Sequence, residues 1–115
     1  MKFIDEPDNQ LFLFSAHSNP KEDSIVGVGK LIFRKGDKFP HEGLPESALF
    51  SKQGGRTLGL FQLIFIPEGY GSYQCGEVTH EVKPGSLILI KPGEWHRYAP
   101  SEELGWTEYL SLIHI

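Results

Sequence analysis

The groups able to act as ligands, bases or nucleophiles are few and scattered. Five histidines occur at positions 17, 41, 80, 96 and 114, with one cysteine, Cys75. A site of three histidines and a carboxylate needs four converging donors. His17, His41 and His114 lie in unrelated segments, so no metal site and no cofactor are expected. Cys75 alone excludes an internal disulfide and a cysteine-based zinc site, and it reads as a small strand residue rather than a nucleophile. Acid–base catalysis needs two groups within reach of one substrate. Only His96 and Glu108 could meet in that way, and no catalytic residue is expected.

His96 stands in the stretch that organises the chain, Lys83-Pro84-Gly85-Ser86-Leu87-Ile88-Leu89-Ile90-Lys91-Pro92-Gly93-Glu94-Trp95-His96-Arg97-Tyr98. Pro84-Gly85 and Pro92-Gly93 are turns, and Ser86 to Ile90 is a run of strand formers. Gly85, Pro92 and Gly93 are the structural turn residues. The second turn delivers a histidine just inside the next strand. Side chains alternate along a strand, so His96 and Tyr98 share one face while Trp95 and Arg97 share the other.

The elements around this unit are short. Gln10 to Phe14 and Ile25 to Arg34 are strand candidates, and the glycines of the second suggest a bend or close backbone approach. Glu46 to Lys52 reads as one helical turn or a short strand. Leu58 to Ile66, with Gln62 its only polar side chain, predicts a strand covered on both faces, ended by a turn at Pro67 to Gly71. Ser72–Cys75 and Val78–Val82 make a hairpin, Ala99 to Gly105 a polar loop. A last strand, Trp106 to Ile115, carries Trp106, Glu108, Leu110, Leu112 and His114 on one face. Eight or nine strands without a helix predict an antiparallel sandwich or jelly-roll barrel.

Composition bounds the function. At 115 residues the chain is one domain, 1–115, and its 13 glycines and 8 prolines favour short strands. The net charge of −4 works against nucleic-acid binding by this chain alone. No apolar run approaches the ~20 residues of a membrane span, and Met1 to Glu6 lacks the features of a signal peptide. No membrane partner is expected, and the cytoplasm is the expected location. The chain ends inside an apolar strand, which suggests truncation or a piece of something longer.

Gly85, Pro92-Gly93 and His96 are spaced as in the second motif of the cupin superfamily, with Lys91 where a proline is usual. The histidine pair of the first cupin motif is missing from Gly69 to Gly76. Gly55-Arg56-Thr57-Leu58, Leu63 to Gly71, Val82 to Gly85, Lys91 to Tyr98 and Gly105-Trp106-Thr107-Glu108-Tyr109 together resemble the N-terminal sensor domain of AraC-type bacterial transcriptional regulators. The resemblance covers about residues 40 to 110. This chain has Leu110 where a second aromatic is usual, ends at Ile115, and lacks the C-terminal helix-turn-helix half.

The resemblance implies an all-β, cupin-like double-stranded β-helix, a jelly-roll barrel that takes a small effector such as a sugar or related metabolite. It also implies a homodimer that reaches DNA only through the absent C-terminal domain. His96 and Tyr98 then occupy positions that face the effector, with Glu108 as the third candidate. Independently of the family, a polar group among apolar walls can orient hydroxyls while an aromatic ring stacks on a sugar face. Tyr73 and Trp95 could supply that ring. Structural readings stand beside these: His96 as a cap or carbonyl partner, the aromatics as core or interface, Glu108 facing solvent, and Arg56 at the barrel mouth or on the surface. The competing function is a small stand-alone cupin enzyme, and a third is a barrel kept only as an interaction scaffold.

Overall fold

The computed structural model describes residues 2–13, 24–39, 55 and 59–114. Glu46–Lys52, His17, His41 and Arg56 lie outside these residues. The elements are β1 (Lys2–Asp5), β2 (Gln10–Leu13), β3 (Ser24–Phe33), β4 (Phe61–Gly69), β5 (Gly71–Cys75), β6 (Val78–Val82), β7 (Ser86–Ile90), β8 (His96–Pro100) and β9 (Trp106–His114). They form a six-stranded sheet in the order β1-β2-β3-β9-β4-β7 and a three-stranded sheet in the order β6-β5-β8. Every pairing is antiparallel. The described residues are all-β, as the turn spacing predicts. No helix among the described residues is long and apolar enough to cross a membrane.

Alternation sets the core. Ile64 and Ile66 of β4, Ile88 and Ile90 of β7, Leu31 and Phe33 of β3, and Trp106 and Leu110 of β9 point to one side of the large sheet and are buried. Val82 and Tyr98 of the small sheet join the same hydrophobic cluster. Each fully buried aliphatic side chain contributes roughly 1.5–3 kcal/mol, so this single layer between two sheets holds the fold.

Three strand expectations change. β4 runs on through Pro67 to Gly69 instead of turning at Pro67. Proline has no N–H for the ladder, and the register to β9 shifts between Phe65 and Glu68, which is how a sheet accommodates it. β8 likewise runs to Pro100, at a strand end where a missing donor costs little. The third concerns cover: the inner face of β4 is buried, but Phe65 on the outer face is 41% exposed.

The crossing between sheets is made at Tyr70, whose N–H donates to the Gly105 carbonyl at 3.0 Å. Gly69 has φ +98°, and a Cβ there would lie 2.3 Å from the Gly105 oxygen and from Trp106 Cα. Only glycine permits this approach, which brings β9 against the start of the small sheet.

Candidate functional site

The Lys91-Pro92-Gly93 turn aims the histidine. Gly93 has φ +77° and Gly85 φ +91°, and Glu94 N–H donates to the Lys91 carbonyl at 3.2 Å. β8 then starts at His96 and pairs with β5, with His96 opposite Cys75 and Tyr98 opposite Tyr73. These four residues therefore face the same side of the small sheet, toward the core. His96 is fully buried and Tyr98 is buried.

His96 Nδ1 lies 3.0 Å from the Glu94 carbonyl oxygen. A carbonyl only accepts, so this contact puts a proton on Nδ1. The carbonyl partner is thus present, and it fixes the plane of the ring. That ring stacks on Tyr98, with centroids 6.2 Å apart and planes 9° apart. Tyr98 in turn contacts Trp106 of β9 at 6.0 Å and Phe39 at 5.7 Å.

The opposite wall adds two polar groups. Glu108 of β9 is 1% exposed, so its solvent-facing alternative is overturned. Its position opposite Leu31 explains why: both belong to the inward set of β3 and β9. Trp106 Nε1 donates to Glu108 Oε1 at 3.3 Å. Gln62 of β4, also buried, directs Nε2 at the Tyr98 hydroxyl at 3.5 Å. His96, Tyr98, Trp106 and Glu108 form a continuous inner chain from one sheet to the other, with Gln62 at its flank.

Tyr73 stands beside this chain on β5, the central strand of the small sheet, between His80 of β6 and Tyr98 of β8. Its hydroxyl donates to Glu94 Oε1 at 3.2 Å, and its ring stacks on His80 at 6.0 Å. Burial, then the neighbouring Cys75 and Glu94, hold the phenol protonated well above the ordinary tyrosine range. The Cys75 thiol is also pushed up, first by its hydrogen bond with Glu94 and then by burial, against a smaller opposing effect of Tyr73. Cys75 is therefore a thiol, not a thiolate, at neutral pH.

Trp95 is not brought to this group. It shares the outer face with Arg97, whose guanidinium lies 6.0 Å over its ring, and a Cβ at Gly55 would sit 2.6 Å from the indole. The parity of adjacent strand residues puts it opposite His96. Sequence reasoning missed Gln62, Glu94 and Trp106 as site residues. Gln62 carried a usable signal, as the one polar side chain in an apolar strand. Glu94 carried none, because its role comes from a strand distant in sequence.

Among the described residues no three His, Cys, Asp or Glu side chains converge as a metal would need. His96 and Glu108 alone do not supply the donor set of a metal-binding cupin, so no step is derived through a metal.

No protein of curated function matches the chain in sequence. Solved cupin structures match its fold. A predicted oxalate decarboxylase from Thermotoga maritima superposes with a TM-score of 0.61 at 15% identity, over 93% of this chain and 81% of that one. An RmlC-like cupin from Shewanella frigidimarina gives 0.56 at 12% identity over 100% and 84%. KdgF from Halomonas sp. gives 0.56 at 12% identity over 97% and 86%. These likenesses establish a cupin jelly roll. Residues 54–114, more than half of the chain, match the AraC-like ligand binding domain, and the chain belongs to that family.

Proposed function

We propose that this domain is the non-catalytic sensing and dimerisation module of an AraC-type transcriptional regulator. Its effector is a small polar metabolite, a sugar or a close relative, and DNA contact belongs to a separate helix-turn-helix domain. The observation that carries this reading is the buried polar chain His96–Tyr98–Trp106–Glu108, with Gln62 at its flank, across a largely apolar interior. His96 and Glu108 are held by protein partners, the Glu94 carbonyl and the Trp106 indole, and buried polar groups oriented in this way can recognise an effector that carries several hydroxyls. Tyr98 and Trp106 supply flat apolar surface for a sugar ring. Tyr73, hydrogen-bonded to Glu94 on the same inner face, supplies a further ring beside this chain. Cytoplasmic location follows from this role.

A thermal-shift panel of neutral sugars, polyols and related metabolites tests the proposal. A compound bound only by the folded chain adds ~2.7 kcal/mol of stability at a hundred times its Kd, a rise of several degrees. At least one compound should produce that rise in the wild type and not in His96→Ala. A panel without effect, with one tightly held metal equivalent and turnover of a sugar or small metabolite, would instead establish the small cupin enzyme.

A further inference from the structure

An antiparallel sheet with one wet face normally alternates apolar and polar residues. The large sheet does not. Its outer face is a grid set by the strand registers. Leu87, Phe65 and Tyr109 make one row, with Lys30 at its end. Leu89, Leu63, Ser111 and Val28 make the second row, and Phe61, Ile113 and Ile25 the third. Ile25, Phe65, Leu87, Leu89 and Tyr109 are all exposed, Leu87 the most at 64%. These three rows hold no acidic residue although the chain carries −4 overall, and Glu68, opposite Thr107, lies in the next row of the same face, at the margin. The one cation of the three rows, Lys30, lies at the margin with its ammonium 5.6 Å from the Tyr109 ring.

We infer that this face is the contact between two copies of the chain, packed sheet on sheet about a two-fold axis. Charge favours a second copy over an unlike partner. A two-fold contact sets each patch against itself, and this patch brings no like charges together at its centre. Its size fits as well: the exposed side chains present on the order of 500 Å2, near the ~600 Å2 per partner at the lower end of stable interfaces and at the upper range of what a monomer leaves bare. Sheets packed face to face sit ~10 Å apart with side chains interlocked, and a mixture of Leu, Phe, Ile and Tyr is suited to that. β7 also has a strand on only one side among the described residues, so the patch runs to the sheet edge and nothing in the large sheet flanks it there. The inference rests on the sensing-and-dimerisation reading and gives that dimer its surface.

Sedimentation equilibrium across a wide concentration range tests it, on the wild type, on Leu87→Lys/Leu89→Lys, on Leu87→Ser/Leu89→Ser, and on Leu104→Lys. Leu104 is as exposed as Leu87 but lies outside the grid. The wild type and Leu104→Lys should dimerise, and both double variants should weaken the dimer by roughly tenfold or more while keeping wild-type circular dichroism. A monomeric wild type overturns the inference, as does a dimer untouched by folded double variants or lost equally in Leu104→Lys. The effector panel run on the monomeric variant separates the two claims. Stabilisation retained there leaves sensing intact whatever the interface, and its absence in every chain removes the sensing reading without bearing on the dimer.

Discussion

The two sheets of this barrel are built from different chemistry. The six-stranded sheet is apolar on both faces: Ile64, Ile66, Ile88 and Ile90 inside, Phe65, Leu87 and Leu89 outside. The three-stranded sheet places His96, Tyr98, Tyr73, Cys75 and His80 on its inner face and Ser72, Gln74, Glu81 and Arg97 on the other. Gln62 and Glu108 are the buried polar exceptions of the large sheet. Gln62 reaches the Tyr98 hydroxyl directly, and Glu108 joins the polar wall through Trp106. The contrast teaches that the large sheet is the apolar scaffold, while the buried polar groups gather on the small sheet and at two opposing positions, which is where the proposed function puts recognition.

The largest expected difference lies between the faces of β4. Ile66→Ala removes a fully buried side chain and should cost about 2–5 kcal/mol in urea unfolding. Phe65→Ala, one residue away on the outer face, should cost under about 1 kcal/mol at concentrations where the chain is monomeric. Equal losses would mean that the outer face is part of the chain's own core.

Trp106→Phe tests the polar bridge between the sheets. It keeps the ring but removes the indole donor to Glu108 Oε1, and leaving that acceptor short should cost roughly 1–3 kcal/mol. Trp106→Phe/Glu108→Leu should recover part of the loss, since neither partner then remains polar. A double variant as unstable as the sum of the two single ones would show that the two side chains do not act as a pair.

A smaller effect concerns Cys75. Its raised thiol pKa means less thiolate at neutral pH than a free cysteine has, so alkylation by iodoacetamide should be slower and should accelerate as pH rises. Glu94→Gln removes the carboxylate that is the first cause of the shift, and the reaction should then speed up at neutral pH. A wild-type rate equal to that of free cysteine would show that the Glu94–Cys75 contact does not persist in solution.

Much of the fold was legible because strand punctuation is local. The Pro84-Gly85 and Pro92-Gly93 turns bracket β7, and the parity of β9 correctly grouped Trp106, Glu108 and Leu110 on one face. The continuation of β4 through Pro67 was not legible, because a bulge depends on the partner strand. His96, Tyr98 and Glu108 could be singled out from spacing and resemblance, yet which face of β8 is interior follows only from its pairing with β5. Trp95 shows the limit most clearly: an aromatic beside the key histidine, turned away by the alternation that turns the histidine in. The exposed outer grid was hidden for a related reason. The apolar run in β4 signals cover on both faces, but not whether the same chain provides it.

The chain has two tryptophans, one in each environment: Trp106 of β9 in the inner chain against Tyr98, and Trp95, just before β8, beside Arg97 on the outer face. Intrinsic fluorescence titrated with a compound that stabilises the wild type therefore reads the location of binding directly. With Trp95→Phe, the remaining Trp106 should give a saturable change in emission at the same half-point as the thermal shift. With Trp106→Phe, emission from Trp95 should stay flat. A response carried by Trp95 and absent from Trp106 would put the ligand outside the barrel and contradict the account.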